Sequence, residues 1–374
     1  MSTLEARTQS RQEDDVCHVM VVDDSAVIRG YIRRLLQETA GIEVVASAGN
    51  GQAAVEALRK YPVDVIILDI EMPVLDGLSA LPQLLEVDPT VKIIMASTLT
   101  VANADVSLKA LAAGAADYIA KPTSTAELHS AEDFRRDLAS KVVALSGARR
   151  RTRAPRAREA AAPKAASLYS APIETRAPSR IPPAILAIGS STGGPQALMT
   201  FLRGLGDDFD LPIVITQHMP ATFTGILAKH LNDSCHRDFR EASDGDPIKP
   251  GCGYVAPGDY HMLVDSGASG PIVKLTQSPP ENFCRPSVDP MLRSLVDTYG
   301  AKTLVVILTG MGHDGLEGGR AIVDCGGTVI AQNEETSVVW GMPGAVATAG
   351  VCAAVLPLND LAGQVRKLCG KAGL

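Results

Sequence analysis

Several polar side chains in the first half of this 374-residue chain directly follow short apolar runs. Asp23 and Asp24 come after HVMVV, Asp69 ends DVIILD, Ser97 ends VKIIMAS, and Lys121 follows DYIA. Carboxylates, a hydroxyl and an ammonium around one point could hold a divalent cation and support phosphoryl transfer to an aspartate. Each aspartate alone could instead cap a helix. Five such residues at successive run ends favour a phosphoryl-transfer site.

A serine in the second half lies in a glycine-rich turn. The segment AILAIGSSTGGPQ places Ser191 after an apolar run and before a predicted helix. It fits the G-x-S-x-G turn that exposes a nucleophile. A glycine loop that binds phosphate at a helix N-terminus is the alternative. No Walker lysine or G-x-G-x-x-G supports a nucleotide site, but the loop alone leaves both interpretations open.

Two further run ends supply possible partners for that serine. His218 follows PIVITQ, and Asp314 follows TLVVIL within TGMGHDG. A neutral imidazole can accept the serine proton, and a carboxylate can orient the imidazole. Backbone N–H groups around Met311 could bind an oxyanion. The alternatives are a packing role for His218 and a helix cap for Asp314. The chain order Ser–His–Asp argues against an ordinary lipase or esterase.

The apolar runs predict which elements would hold these residues. In the first half, strands at 18–22, 43–48, 64–69, 91–97 and 117–120 alternate with amphipathic helical stretches such as 25–39. This alternation indicates a doubly wound parallel sheet, with its chemistry at the carboxyl ends of the strands.

The second half shows the same kind of alternation. Buried strands are predicted at 184–189, 212–217, 303–308 and 327–332. Between the second and third, YVAP, HMLVD and PIVKL resemble antiparallel hairpins separated by turn residues. We therefore predict a second doubly wound α/β domain with a β-hairpin insertion.

A basic segment divides the two halves. Residues 147–182, rich in Ala, Pro and Arg, carry a net charge of +7, against −14 for the rest of the chain. Prolines disfavour helix and like charges repel, so we predict a partly extended linker. Docking of this segment onto an acidic face is the alternative. The predicted domains are then 17–140 and 183–374.

Composition excludes several functional classes. No apolar run reaches 18 residues, which argues against membrane insertion, and the first residues have no apolar core typical of a secretory signal. Seven scattered cysteines without C-x-x-C indicate reduced thiols in the cytoplasm and no zinc site. An acidic chain with 4% aromatic residues is not expected to bind nucleic acid.

The motifs VVDDSAVIR, LDIEMPVLDGL, MASTLT and DYIAKP resemble the receiver domain of bacterial response regulators, whose fold is flavodoxin-like. The resemblance implies that Asp69 accepts a phosphoryl group from a histidine kinase. It implies Mg²⁺ as the cofactor of phosphorylation. The residues it assigns are Asp23, Asp24, Asp69 and the backbone of Glu71 for the metal, Ser97 and Lys121 for phosphate sensing, and Tyr118 as an aromatic switch.

The motifs IGSSTGG, TQHMP, ENFCRPSVDPM, LTGMGHDG and AQNEETSVVWGMP resemble the catalytic domain of the chemotaxis protein-glutamate methylesterase (CheB) family. The resemblance implies hydrolysis of glutamate γ-methyl esters, and deamidation of glutamine, on the cytoplasmic helices of chemoreceptors. Ser191 would be the nucleophile, His218 the base, Asp314 the orienting acid and Met311 an oxyanion donor. It implies no cofactor for the ester chemistry, and the receiver suggests activation by phosphorylation.

Three other functions are weaker interpretations. The second domain could only bind a partner, in which case Ser191 would form no covalent adduct. A transcription factor would need a helix-turn-helix pattern, which the acidic second half lacks. A general esterase would accept small soluble esters. Within the motifs, Ser190 and His313 are neighbours that could be mistaken for the reactive residues, and Ser287 is expected to be a helix N-cap.

Overall fold

The computed structural model describes residues 16–98, 100–121, 128–153 and 173–370. These residues form two compact units, divided at about residue 160. Each unit contains a parallel sheet, and helices connect most of its successive strands. The doubly wound α/β class predicted for both halves is confirmed.

The first unit has a five-stranded sheet in the order β2-β1-β3-β4-β5. Every neighbouring pair is parallel. Since parallel strands align their carboxyl ends, the residues after β1, β3, β4 and β5 share one edge. The strands are β1 (Cys17–Val22), β2 (Ile42–Ala48), β3 (Val65–Asp69), β4 (Lys92–Ser97) and β5 (Asp117–Ala120).

The second unit has a seven-stranded parallel sheet in the order β14-β13-β12-β6-β7-β9-β8. A separate antiparallel hairpin is formed by β10 and β11. The strands are β6 (Ile185–Ser190), β7 (Ile213–Gln217), β8 (Asp238–Glu241), β9 (Cys252–Val255), β10 (His261–Gly267), β11 (Gly270–Thr276), β12 (Thr303–Ile307), β13 (Thr328–Gln332) and β14 (Cys352–Leu356).

Helices connect these strands in both units. In the first unit they are α1 (Ala26–Gln37), α2 (Gly51–Leu58), α3 (Gly77–Val87), α4 (Val101–Ala112) and α5 (Leu128–Arg153). In the second they are α6 (Gly194–Gly204), α7 (Ala221–Cys235), α8 (Val288–Thr298), α9 (Leu316–Asp324), α10 (Met342–Thr348) and α11 (Leu358–Leu368). No helix within these residues is long and apolar enough to cross a bilayer.

The predicted hairpin region is partly wrong. The segment YVAP contributes to β9, which pairs in parallel with β7 and β8 inside the main sheet. Only HMLVD and PIVKL form the antiparallel hairpin. Strand β8, with the sequence DFRE, contains no apolar run. The sequence pattern therefore did not predict β8, and it offered no neighbouring strand in the main sheet for β9.

The predicted linker is also partly wrong, at both of its ends. Helix α5 continues to Arg153, since no proline interrupts it before Pro155. At the other end, the Arg176 N–H donates to the Cys352 carbonyl at 3.0 Å, and the Ser179 N–H donates to Thr328 Oγ1 at 2.9 Å. Residues 173–182 therefore belong to the second unit. The middle of the predicted linker, 154–172, lies outside the described residues.

The basic C-terminal part of α5 forms ion pairs with acidic residues of the first unit. The Arg149 side chain is buried and forms ion pairs with Asp64 and with Asp88, the latter at 2.5 Å. Its Nε also donates to Thr90 Oγ1 at 3.2 Å. For this part of the basic segment, the docked alternative describes the structure better than an extended linker does.

Candidate active site and receiver site

The carboxylates predicted in the first unit lie together at the edge formed by β1 and β3. Oxygen atoms of Asp23, Asp24 and Asp69 lie within 4.8 Å of one another. Asp23 and Asp69 are buried and Asp24 is exposed, so the cluster opens to solvent on one side. An all-oxygen donor set with one open side fits Mg²⁺, which keeps several of its waters.

Lys121 joins two of these carboxylates. Its Nζ lies 2.6 Å from Asp23 Oδ2 and 2.5 Å from Asp69 Oδ1. Burial raises the pKa of Asp69, while Lys121 opposes that rise and the charge of Asp23 adds to it. One ammonium thus faces three carboxylates, and the excess negative charge is what a divalent cation would neutralise.

The remaining receiver residues surround this cluster at different distances. Ser97 is buried at the end of β4, where its Oγ accepts a hydrogen bond from Ser107 Oγ at 3.2 Å and its carbonyl accepts the Lys121 N–H. Tyr118 is buried on β5, with Lys141 Nζ 5.1 Å from the centre of its ring. Glu71 is exposed just after β3, next to the cluster in the chain. The roles assigned to these residues stay predictions.

Strand order brings the three loops of the second site together. In the sheet, β6 lies between β12 and β7, with Ser190 paired to Gln217 and Gly189 to Ile307. Ser191 directly follows Ser190, and His218 directly follows Gln217. Because Ser190 and Gln217 are paired, Ser191 and His218 lie next to each other at the carboxyl end of the sheet. The loop after β12, which carries Asp314, adjoins them from the other side.

The two adjacent serines have different surroundings. Ser190 is buried, and its Oγ donates to Gln217 Oε1 at 2.6 Å. Ser191 is half-buried, and the Gln217 amide donates to its carbonyl at 2.9 Å. A Cβ on Gly194 would lie 2.0 Å from Gln217 Oε1, so a larger residue there would displace the Gln217 side chain. Ser190 therefore holds the turn, while Ser191 is presented at its surface.

His218 is held by the carboxylate of Asp314. Its Nε2 lies 2.7 Å from Asp314 Oδ2, where the Asp314 side chain is buried and the His218 side chain is 12% exposed. Burial alone lowers the pKa of His218, but the neighbouring Cys284 and Asp314 outweigh it and raise that pKa to about 10. With the Nε2 proton directed at Asp314, the lone pair of the neutral ring is on Nδ1.

Asp314 receives an unusually complete set of donors. Its Oδ1 accepts from Ser287 Oγ at 2.8 Å and from Asn282 Nδ2 at 2.9 Å, and its Oδ2 accepts the Val288 N–H at 2.7 Å. Burial raises the pKa of Asp314, but His218 and the backbone N–H groups of Val288 and Asp289 outweigh that effect and lower it. The carboxylate stays ionised, as an orienting acid must.

Ser287 occupies the predicted N-cap position of α8, but its side chain does not cap the helix. Its hydroxyl donates to Asp314 instead, and Asp314 accepts the backbone N–H groups of Val288 and Asp289. The expectation that a cap explains Ser287 is therefore incomplete. A carboxylate supplied from a different loop takes over the capping.

The turn that carries Met311 lies against Ser191. A Cβ on Gly310 would lie 3.0 Å from the Ser191 Cβ, which shows how closely the two loops approach. The Ser191 N–H donates to the Thr309 carbonyl at 3.1 Å and is therefore already engaged. Met311 is half-buried and His313 is exposed. The turn is close enough for the predicted Met311 oxyanion donor, which stays a prediction.

Three residues of this site were not identified as functional from the sequence. Asn282 bridges Asp289 Oδ2 and Asp314 Oδ1, at 2.9 Å each. Asp289 accepts the N–H groups of Gly315 and Gly318, and Cys284 Sγ lies 3.4 Å from His218 Nδ1. All three belong to ENFCRPSVD, a segment whose chemistry depends on contacts distant in the chain. Only the family motif that contains them marked it.

Comparisons with known proteins agree on both halves of the chain. A family model described as CheB methylesterase matches residues 186–365, and a response regulator receiver domain model matches 19–133. Protein-glutamate methylesterase/protein-glutamine glutaminase 1 of Paramagnetospirillum magneticum is 54% identical, over 96% of this chain and 97% of its own. Protein-glutamate methylesterase/protein-glutamine glutaminase of group 2 operon from Rhodospirillum centenum is 56% identical, over 96% of this chain and 95% of its own. The catalytic domain of Thermotoga maritima CheB methylesterase is 41% identical, covers 50% of this chain and 100% of its own, and has a TM-score of 0.49.

Proposed function

Because the chain belongs to the CheB methylesterase family, with a response regulator receiver domain ahead of the esterase domain, we propose that it resets chemoreceptors during chemotactic adaptation. It is a protein-glutamate methylesterase, and protein-glutamine glutaminase is its second activity. The proposed substrates are glutamate γ-methyl esters and glutamine side chains on the cytoplasmic helices of chemoreceptors. The proposed place of action is the cytoplasm.

One observation carries the proposed mechanism: the His218–Asp314 hydrogen bond of 2.7 Å lies beside Ser191 through the pairing of β6 with β7. Ser191 Oγ attacks the ester carbonyl while its proton passes to His218 Nδ1. Asp314 stabilises the resulting imidazolium, and the Met311 N–H donates to the oxyanion. His218 returns the proton to the departing methoxide, and methanol leaves an acyl-enzyme.

Water then completes the cycle by the same groups in reverse roles. His218 takes a proton from water while the resulting hydroxide attacks the acyl carbonyl. The Ser191–acyl bond then breaks, His218 returns its proton to Ser191 Oγ, and a glutamate carboxylate is released. With glutamine as substrate the leaving group is ammonia and the second half is identical. No step draws on a bound cofactor.

Phosphorylation is proposed to activate this chemistry. Asp69 Oδ receives the phosphoryl group from the phosphohistidine of a chemotaxis histidine kinase, and Lys121 stabilises the transferred charge. Asp23, Asp24, Asp69 and the Glu71 backbone would hold Mg²⁺, which supplies positive charge to the transferring phosphoryl oxygens. Ser97 and Tyr118 are proposed to respond to the phosphate.

The deciding experiment measures methanol released from methylated receptor membranes. Ser191→Ala should lower the rate of methanol release at least about a thousandfold, because no serine alkoxide can form. A serine-reactive phosphonate should label the native chain at Ser191, as located by mass spectrometry of its peptides. Turnover retained by a folded Ser191→Ala variant, or labelling elsewhere, would overturn the assignment.

A further inference from the structure

The imidazole of His218 has a second neighbour besides Asp314. Cys284 Sγ lies 3.4 Å from Nδ1, the ring nitrogen that Asp314 does not engage. Thiol, imidazole and carboxylate are thus aligned as Cys284–His218–Asp314. The nitrogen that the proposed mechanism needs for Ser191 is the one in contact with the thiol.

The backbone around Cys284 holds the thiol in this position. Its N–H donates to the Glu281 carbonyl at 2.9 Å, and the Glu281 N–H donates back at 3.1 Å. The Glu281 carboxylate is fixed by both terminal nitrogens of Arg293, at 2.6 Å each. Asn282, inside this loop, donates to Asp314. The loop therefore connects the thiol to the same carboxylate that orients the imidazole.

Three other cysteines have settings that differ from that of Cys284. Cys17 and Cys352 are buried, and burial raises their pKa to about 11 and about 12. Cys252 is half-buried like Cys284, but its Sγ faces the Asp238 carboxylate at 3.6 Å. An imidazole can accept a thiol proton and retain it as a cation, which is the setting that activates cysteine nucleophiles.

We propose that Cys284 is a peroxide-sensitive site whose oxidation reversibly blocks the esterase through His218. The sulfur attacks one peroxide oxygen, the O–O bond breaks, and the thiol becomes a sulfenic acid while the other oxygen leaves as water. Sulfur is oxidised and peroxide reduced, with the thiol proton passing through His218 Nδ1. The added oxygen lies beside Nδ1, where it takes the place of the Ser191 hydroxyl.

The inference rests on His218 being the base of the proposed function, and the test separates the two. The full-length enzyme is treated with hydrogen peroxide, assayed for methanol release, and then treated with dithiothreitol. The native chain should lose more than about tenfold in rate and recover it on reduction, and dimedone should label Cys284 in step with the loss. Cys284→Ala should resist peroxide, while Cys252→Ala, a matched half-buried thiol, should be inactivated like the native chain.

The pH profile supplies a second readout. Cys284 and Asp314 are the two groups that raise the pKa of His218, so Cys284→Ala should move the acidic limb of kcat/KM to lower pH. Equal peroxide sensitivity of Cys284→Ala and the native chain, or dimedone labelling that does not follow the activity loss, would overturn the proposal. If Cys284→Ala were inactive while Ser191→Ala turned over, the proposed function would fail instead. Cys284→Ser serves if the alanine variant does not fold.

Discussion

Asp289 and Asp314 exchange helix caps. Asp314 accepts the Val288 and Asp289 N–H groups that begin α8, and Asp289 accepts the Gly315 and Gly318 N–H groups around the start of α9. Each aspartate thus stabilises the helix that adjoins the other. The pair shares one low-dielectric space, where burial and the charge of Asp314 raise the pKa of Asp289 to about 6. The orienting carboxylate is therefore part of the packing of two helices.

Replacing Ser287 by alanine should slow hydrolysis without unfolding the protein. The substitution removes one of the donors to Asp314 Oδ1, while Asn282 and the helix N–H groups remain. We expect kcat to fall about tenfold, since a hydrogen bond from an uncharged hydroxyl to a charged carboxylate contributes about 1.5 kcal/mol. Steady-state methanol release gives kcat and KM, and KM should change little.

The matched control for Ser287 is Thr298→Ala, on the same helix. Its hydroxyl donates to the Ser294 carbonyl, away from the triad. If Ser287→Ala and Thr298→Ala had the same kcat, the Ser287–Asp314 hydrogen bond would have no catalytic role. An equal loss in thermal stability for both would leave that conclusion unchanged, because kcat is measured on the folded fraction.

Ser190→Ala should affect stability more than chemistry. The Ser190 hydroxyl is buried and its partner, Gln217 Oε1, would lose its donor. An unsatisfied buried acceptor costs about 1–3 kcal/mol. Urea denaturation should show that loss, while phosphonate labelling of Ser191 should persist. Abolished labelling in a folded Ser190→Ala chain would transfer the nucleophile to Ser190.

The sequence predicted the residues at strand ends better than the residues in loops. Asp69, Ser191 and His218 each follow an apolar run, so parallel-sheet geometry places them at one edge of their sheet without further information. Asn282 and Cys284 lie in a loop between the hairpin and α8. Their partners, Asp314 and His218, are 32 and 66 residues away in the chain. Local pattern carries no information about such contacts.

The pH dependence of activity should reflect the raised pKa of His218. A base must be neutral, so kcat/KM should rise with pH up to about 10. The linked stability has the opposite slope. A histidine whose pKa is raised on folding contributes stability that is complete below its unfolded pKa and is lost as pH rises through its folded pKa.

Asp314→Asn tests the cause of that profile. Loss of the carboxylate removes one of the two groups that raise the pKa of His218, so the acidic limb should move to lower pH and the maximal rate should fall. Stopped assays from pH 5.5 to pH 10 with native and Asp314→Asn chains measure both. An unmoved limb would show that Asp314 does not set the protonation of His218.

Asp69→Asn should separate regulation from ester chemistry. The variant keeps the shape of the cluster but cannot form an acyl phosphate, so labelling by a small phosphodonor with Mg²⁺ should disappear. Basal methanol release should remain, and its stimulation by the phosphodonor should be lost. Glu86→Gln, at an exposed position of α3, is the control. Stimulation that survives in Asp69→Asn would place the phosphoryl acceptor elsewhere.

Arg149→Ala should destabilise the first unit selectively. Arg149 is 2% exposed and pairs with Asp64 and Asp88, so its removal leaves two partly buried carboxylates without the guanidinium that neutralises them. Breaking such a pair costs about 3–5 kcal/mol, and the partial exposure of Asp88 favours the lower end. Calorimetry of the full chain should show the transition of the first unit at lower temperature, while Arg59→Ala, an exposed control on the same unit, should leave it in place. If both variants unfolded at the same temperature, the ion pairs of Arg149 would not stabilise the first unit. The part of α5 beyond residue 146 would then have to be held by apolar contacts alone.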